Sequence, residues 1–163
     1  AIGAPFLEEG CRILLPECDV AQSEYAESLQ RRFAIGKAGT YPNLESVRGG
    51  IARVDEVQAK ERRTEDVLLF TNLAEGRCSL QNPKLGLQFS LTWNRAMFPY
   101  FWCWQVYGGS FGYPYYGRAY TVALEPFNCP LMKLSDAVQK GLVPTLKAGA
   151  TVETELEAGI ETI

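Results

Sequence analysis

The sequence contains no histidine. That absence removes Ser-His-Asp and Cys-His nucleophile pairs, His-ligated zinc sites and the side chain that most often exchanges protons near neutral pH. Proton chemistry in this chain falls to Asp, Glu, Tyr, Lys or Cys. A basic excess is also missing: 16 Lys and Arg stand against 19 Asp and Glu, for a net charge of -3. The electrostatic footprint that nucleic acid requires is therefore absent. No apolar run approaches the ~20 residues of a membrane span. Residues 1–10 hold Glu8 and Glu9 and no basic n-region, so no signal peptide is expected. No initiator methionine precedes Ala1, which reads as a processed start or as part of a longer protein. The five cysteines, Cys11, Cys18, Cys78, Cys103 and Cys129, are odd in number and form no Cys-x-x-Cys pair. This excludes a zinc ribbon and a dense disulfide framework, and predicts buried, mostly reduced thiols in a cytoplasmic protein, with a lone disulfide as the alternative. Neither metal nor cofactor is expected.

What is present is an ordinary globular composition, 47% hydrophobic and 21% charged over 163 residues. That length supports one domain with its own core. A short apolar piece, 11–15, stops at Pro16. Weak periodicity around Tyr25 and Leu29 predicts a helical turn or two. Residues 36–63, rich in Gly, polar residues and charge, read as a long surface connection or arm. Beyond them, strands are predicted at 66–73, 77–82, 85–93, 100–107 and 119–124. Strict alternation in 85–93 marks that strand as half-buried. A short helix is predicted at 134–140, with Ser135 as N-cap and Gly141 as the stop. Two last strands, 143–147 and 151–158, flank an Ala148-Gly149 hairpin turn. Short strands at regular spacing with turn punctuation predict an all-β antiparallel sandwich with one short helix.

Twelve of the 19 aromatic residues fall between Trp93 and Tyr120. On a strand, Tyr100, Trp102 and Trp104 share one face, while Phe101, Cys103 and Gln105 share the other. One face should be core and the other a cleft. Indole and phenol rings pair an apolar body with a polar tip, which suits the C–H faces and hydroxyl rim of a sugar; an aromatic core under a Tyr-rich loop is the plain alternative. Glu125 ends an apolar strand before Pro126, which is expected to close the pairing. A carboxylate there, beside aromatics, can hold its proton more tightly and act as a base, or be an exposed edge glutamate. Asp66 opens a strand, as a ligand contact or a solvated cap. Arg118 could bind a hydroxyl or an anion, or pair with a surface acid.

Several stretches together resemble the aldose 1-epimerase (galactose mutarotase-like) family. They are Asp66-Val67-Leu68-Leu69-Phe70-Thr71-Asn72-Leu73-Ala74-Glu75-Gly76, the run from Phe98-Pro99-Tyr100-Phe101-Trp102-Cys103-Trp104-Gln105 to Tyr113-Pro114-Tyr115-Tyr116-Gly117-Arg118, Ala123-Leu124-Glu125-Pro126, and Leu146-Lys147-Ala148-Gly149-Ala150-Thr151. A weaker likeness reaches Gly3-Ala4-Pro5-Phe6-Leu7. The resemblance covers nearly the whole chain but only the C-terminal part of the longer family members. It implies part of a β-supersandwich with a sugar cleft on a concave face, and an isomerase activity that interconverts the anomers of an aldose. Glu125 matches the family's base, which takes the C1 hydroxyl proton. Asp66 resembles its sugar-contacting aspartate, Trp104 and Gln105 fall on the strand that lines the cleft, and Trp102, Tyr107 and Arg118 are the further substrate-binding candidates. The family's acid histidine belongs at or before the segment matching residues 1–6, where this chain has none; Tyr107 or Tyr113 is a conceivable substitute donor. The resemblance thus implies a monosaccharide-binding protein that catalyses only when completed by a homodimer partner or an N-terminal half. The alternative is a sugar-binding or scaffold module without catalysis. A half-sandwich also leaves an apolar face for such a partner.

Overall fold

The computed structural model describes residues 1–24 and 30–163. The helical turn expected around Tyr25 and Leu29 lies outside the described residues. In chain order the strands are β1 (Ile2–Gly3), β2 (Arg12–Leu14), β3 (Asp19–Gln22), β4 (Ala38–Thr40), β5 (Asn43–Glu45), β6 (Ile51–Arg53), β7 (Thr64–Thr71), β8 (Arg77–Asn82), β9 (Leu87–Trp93), β10 (Tyr100–Tyr107), β11 (Tyr120–Phe127) and β12 (Leu156–Thr162). A 3-10 turn, Lys60–Arg62, precedes β7, and one helix, α1 (Leu134–Gln139), follows β11.

The strands form a six-stranded sheet in the order β1-β11-β10-β7-β3-β4, a four-stranded sheet in the order β12-β9-β8-β2, and the small β5-β6 ribbon. All pairings between named strands are antiparallel. The protein is an all-β sandwich with one short α-helix among the described residues. Period-two burial explains why these segments are strands: in β7, Asp66, Leu68 and Phe70 are buried while their neighbours are only partly so. Those side chains face inward with Val20, Phe101 and Cys103, and meet Ile13, Leu80, Leu91 and Trp93 of the other sheet in one core. At its centre the Trp93 ring stacks on Phe101 at 5.5 Å, and Phe101 meets Phe70 edge-on at 5.8 Å. All five cysteines are free and buried.

Several expectations are corrected. Residues 36–63 carry β4, β5 and β6 and contribute Leu44, Val54 and Val57 to the core, so the segment is not merely a surface arm. Its apolar residues are single and widely spaced, which hides them from a window-based reading. Residues 143–147 form no strand, and the turn at Ala148-Gly149 closes no hairpin. The last strand instead starts at Leu156 and pairs with β9. The preceding stretch is almost wholly exposed, with no layer for a strand to pack on, and Pro144 lacks a ladder donor. Ser135 does not cap α1: Lys133 occupies the N-cap without a side-chain bond, and the Ser135 hydroxyl lies 3.2 Å from Asp136 Oδ1. Gly141 does end the helix, at φ 65° with its N–H on the Val138 carbonyl at 3.0 Å. Pro126 does not end its strand, which runs on to Phe127. Because β1 pairs only with Thr121 and Val122, β11 is an edge strand at that point and tolerates a proline. No helix among the described residues is long and apolar enough to cross a membrane.

Candidate functional site

Strand β10 lies in the middle of the six-stranded sheet, between β7 and β11, so each of its residues from Phe101 onward has a flanking residue on both sides. Trp102 sits between Leu69 and Glu125, and Trp104 between Val67 and Ala123. Residues directly opposite share a face. Trp102, Trp104, Val67 and Glu125 therefore all point outward, away from the inter-sheet core. Together with Phe127 and Met132 they line a cavity of about 290 Å³.

Each indole is held at its polar tip. Trp102 Nε1 donates to the Cys129 carbonyl at 3.1 Å, and Trp104 Nε1 donates to Glu65 Oε1 at 2.9 Å. The segment that leaves β11 thus folds back over Trp102 and brings Met132 to the cavity. Tyr115, from the Gly- and Tyr-rich loop, meets Trp104 edge-on at 5.2 Å. These bonds fix two ring faces next to an acidic side chain. Among the described residues the Glu125 carboxylate has no hydrogen-bond or ion-pair partner and is the sole titratable group lining the cavity. Partial burial raises its pKa above the ordinary 4.5, with the Ala1 ammonium opposing the shift. A carboxylate of this kind can accept a hydroxyl hydrogen bond or a proton, and the rings beside it can take an apolar ligand face.

The remaining predicted contacts are placed elsewhere. Asp66 and Gln105 pair with each other across β7 and β10, on the opposite parity from Trp104. Both face the core and are fully buried. Asp66 is neither a solvated cap nor a cavity residue. It accepts from the Arg32 backbone N–H at 2.8 Å and from Arg32 Nε at 2.6 Å. The Arg32 guanidinium also bonds Gln105 Oε1, while Gln105 Nε2 donates to the Val54 carbonyl at 2.8 Å. Desolvation raises the Asp66 pKa, and Arg32 pulls it back. Tyr107 shares this inner face, with its ring 5.4 Å from the Arg32 guanidinium and its buried hydroxyl without a partner. Burial pushes its pKa well above 10. It cannot reach the cavity from there. Arg118 is exposed and lies over the Tyr116 ring at 5.6 Å. Tyr113 is 84% exposed at the loop tip. The structure thus brings together Trp102, Trp104 and Glu125, and separates Asp66, Gln105, Tyr107 and Arg118 from them.

A family model described as "Domain of unknown function (DUF4432)" matches residues 1–160. The chain belongs to the DUF4432 family. No curated protein and no solved structure matches it. In this DUF4432 chain, sequence reasoning missed Val67, Phe127 and Met132 as cavity walls, and Glu65 as the anchor of Trp104. Val67 and Glu65 were accessible in principle, because they share the parity opposite to Asp66. Met132 lies in irregular chain and Arg32 is 34 residues from its partner Asp66; neither carries a local signal. Among the described residues no group of three or more His, Cys, Asp or Glu side chains could hold a metal ion.

Proposed function

We propose that this chain binds a carbohydrate in the cavity of Trp102, Trp104 and Glu125, as its resemblance to aldose 1-epimerases implies. The observation that carries the reading is the unpartnered Glu125 carboxylate facing two anchored indoles. The indoles would stack on the C–H face of a pyranose, and Glu125 would accept from a ring hydroxyl. Anomer interconversion needs a second group to protonate the ring oxygen. The described cavity walls supply none, so the chain alone acts as a binding module, and activity belongs to a completed assembly. A second copy or an N-terminal half is the proposed partner, and sedimentation of the chain alone tests the first.

The binding test is a calorimetric or NMR titration with a panel of free aldoses. Glu125→Gln and Trp104→Ala should each weaken binding by about tenfold. Equal binding by both variants would sink this reading. A polarimetric assay with the same sugars should show anomer exchange at the uncatalysed rate; acceleration by the isolated chain would overturn the non-catalytic part.

A further inference from the structure

A second cavity, of about 420 Å³, opens at the Thr64 end of β7. Its walls include Arg31, Arg32, Arg48 and Arg62, together with Ser46 and Thr64. Among the described residues, no carboxylate lines it. In a chain of net charge -3, four guanidinium-bearing residues around one concavity are an uneven use of charge. Arg32 is matched from beneath by Asp66. Arg48 and Arg62 form no ion pair among the described residues. Like charges converging on a pocket raise its potential and draw in an anion.

The backbone that carries these arginines is held in place. The turn bearing Arg48 is closed by Ser46 N–H on the Gly50 carbonyl at 2.9 Å and Gly49 N–H on the Ser46 carbonyl at 3.0 Å. Gly49 and Gly50 supply its left-handed φ values of 85° and 74°. The same turn is tied to Arg32, whose carbonyl accepts from Val47 N–H at 2.9 Å. The 3-10 turn bearing Arg62 is closed by Arg63 N–H on the Lys60 carbonyl at 3.2 Å. That carbonyl packs so close to Gly108 that a Cβ there would lie 2.5 Å from it. The Ser46 hydroxyl accepts from Arg48 N–H at 3.2 Å, which leaves its own hydrogen to donate. Turns held in this way present the donors from fixed backbone, so only side-chain ordering remains when the ligand arrives.

We propose that this cavity is a binding site for a small phosphomonoester. A phosphate group offers nearly two negative charges and three acceptor oxygens. Guanidinium forks match that geometry better than any other side chain. The volume, about 420 Å³ against the roughly 30 Å³ share of one water, leaves room for an organic body beyond the phosphate. Thr64 has the parity of Asp66, so the cavity lies on the inner-face side of the sheet's end and shares no lining residue with the indole cavity. The proposal is independent of carbohydrate binding.

The test is an amide-resolved NMR titration of the full chain at low ionic strength, with inorganic phosphate, glycerol phosphate and glycerol as probes. Glycerol phosphate should saturate shifts at Ser46, Arg48 and Thr64 and bind more tightly than inorganic phosphate. Glycerol should move nothing, and the Trp102 and Trp104 indoles should stay still. Arg48→Ala and Arg62→Ala should each weaken binding by about tenfold. Both side chains are exposed, so the fold should survive, which circular dichroism checks. Arg77→Ala should have no effect, since Arg77 pairs with Glu75 on the other sheet. The proposal is overturned by glycerol phosphate failing to saturate below about 10 mM, by binding of inorganic phosphate alone, by shifts confined to the indoles, or by wild-type affinity in both variants.

Discussion

Trp102 and Glu125 stand directly opposite each other across the β10–β11 ladder, on the face of the sheet that turns away from the core. The indole is anchored at its N–H, whereas the carboxylate is anchored to nothing among the described residues. One member of the pair is thus a fixed wall and the other a free acceptor. That division makes Glu125 the informative residue for titration.

The Glu125 carboxyl should titrate above 4.5, because burial disfavours its charge. A folded pKa above the unfolded one means that the native state binds the proton more tightly. Stability contributed by this group is then present below the unfolded pKa and lost as pH rises through the folded one. Glu125→Gln keeps the shape and removes the charge. It should be at least as stable as the wild type at about pH 7 and equal to it at about pH 3. Carbon-detected NMR of the carboxyl gives the pKa directly, and a value below the ordinary one would contradict the arrangement.

Arg32→Met leaves the buried Asp66 carboxylate without its counter-charge, which should cost about 3–5 kcal/mol in urea denaturation. Arg32 holds the Asp66 pKa down against desolvation. Its loss should drive that pKa higher still, so the deficit should shrink on acidification as Asp66 takes up a proton. The pair Arg32→Met with Asp66→Leu should recover much of the loss, as replacement of a whole buried ion pair often does.

Trp104→Phe keeps a ring in the cavity wall but deletes the bond to Glu65. The expected cost is about 1 kcal/mol. Tyr115→Ala removes the edge contact, worth about 0.5–1.5 kcal/mol. Near-ultraviolet circular dichroism should report both changes while the far-ultraviolet spectrum stays constant.

Phe101→Ala opens a hole where Trp93 and Phe70 both pack, and should cost about 3–5 kcal/mol. Tyr113→Ala at the 84% exposed loop tip should change stability by no more than about 0.5 kcal/mol. Chemical denaturation of the two variants side by side checks the contrast.

Gly109→Ala should be strongly destabilising, because a Cβ there would stand 2.3 Å from the Thr64 backbone carbon. Neither backbone can yield without breaking the seam between β7 and the chain beyond β10. A thermal midpoint equal to wild type would contradict that packing.

The sandwich was legible wherever alternation and turn residues coincide. The 77–82 and 100–107 strands have the expected bounds, and the face shared by Trp102 and Trp104 follows from period two alone. The same rule sets Gln105 on the other face but does not say which face is core, and the family resemblance places Asp66 and Gln105 with cleft residues that they never meet. That choice depends on Arg32, which arrives from a distant segment to neutralise Asp66. The arginine-lined cavity was illegible for the same reason: its walls come from separate turns within 30–64, and only tertiary packing brings them together.

Strand β1 pairs with β11, and the Thr121 hydroxyl donates to the Ile2 carbonyl across 119 positions of sequence. Strand β1 therefore waits for a partner more than a hundred residues further on. During synthesis the N-terminal segment has no ladder partner until the β11 region has emerged, and the β9 edge waits longer still for β12. So many distant pairings mean a high contact order, and refolding of this domain should take milliseconds to seconds rather than microseconds.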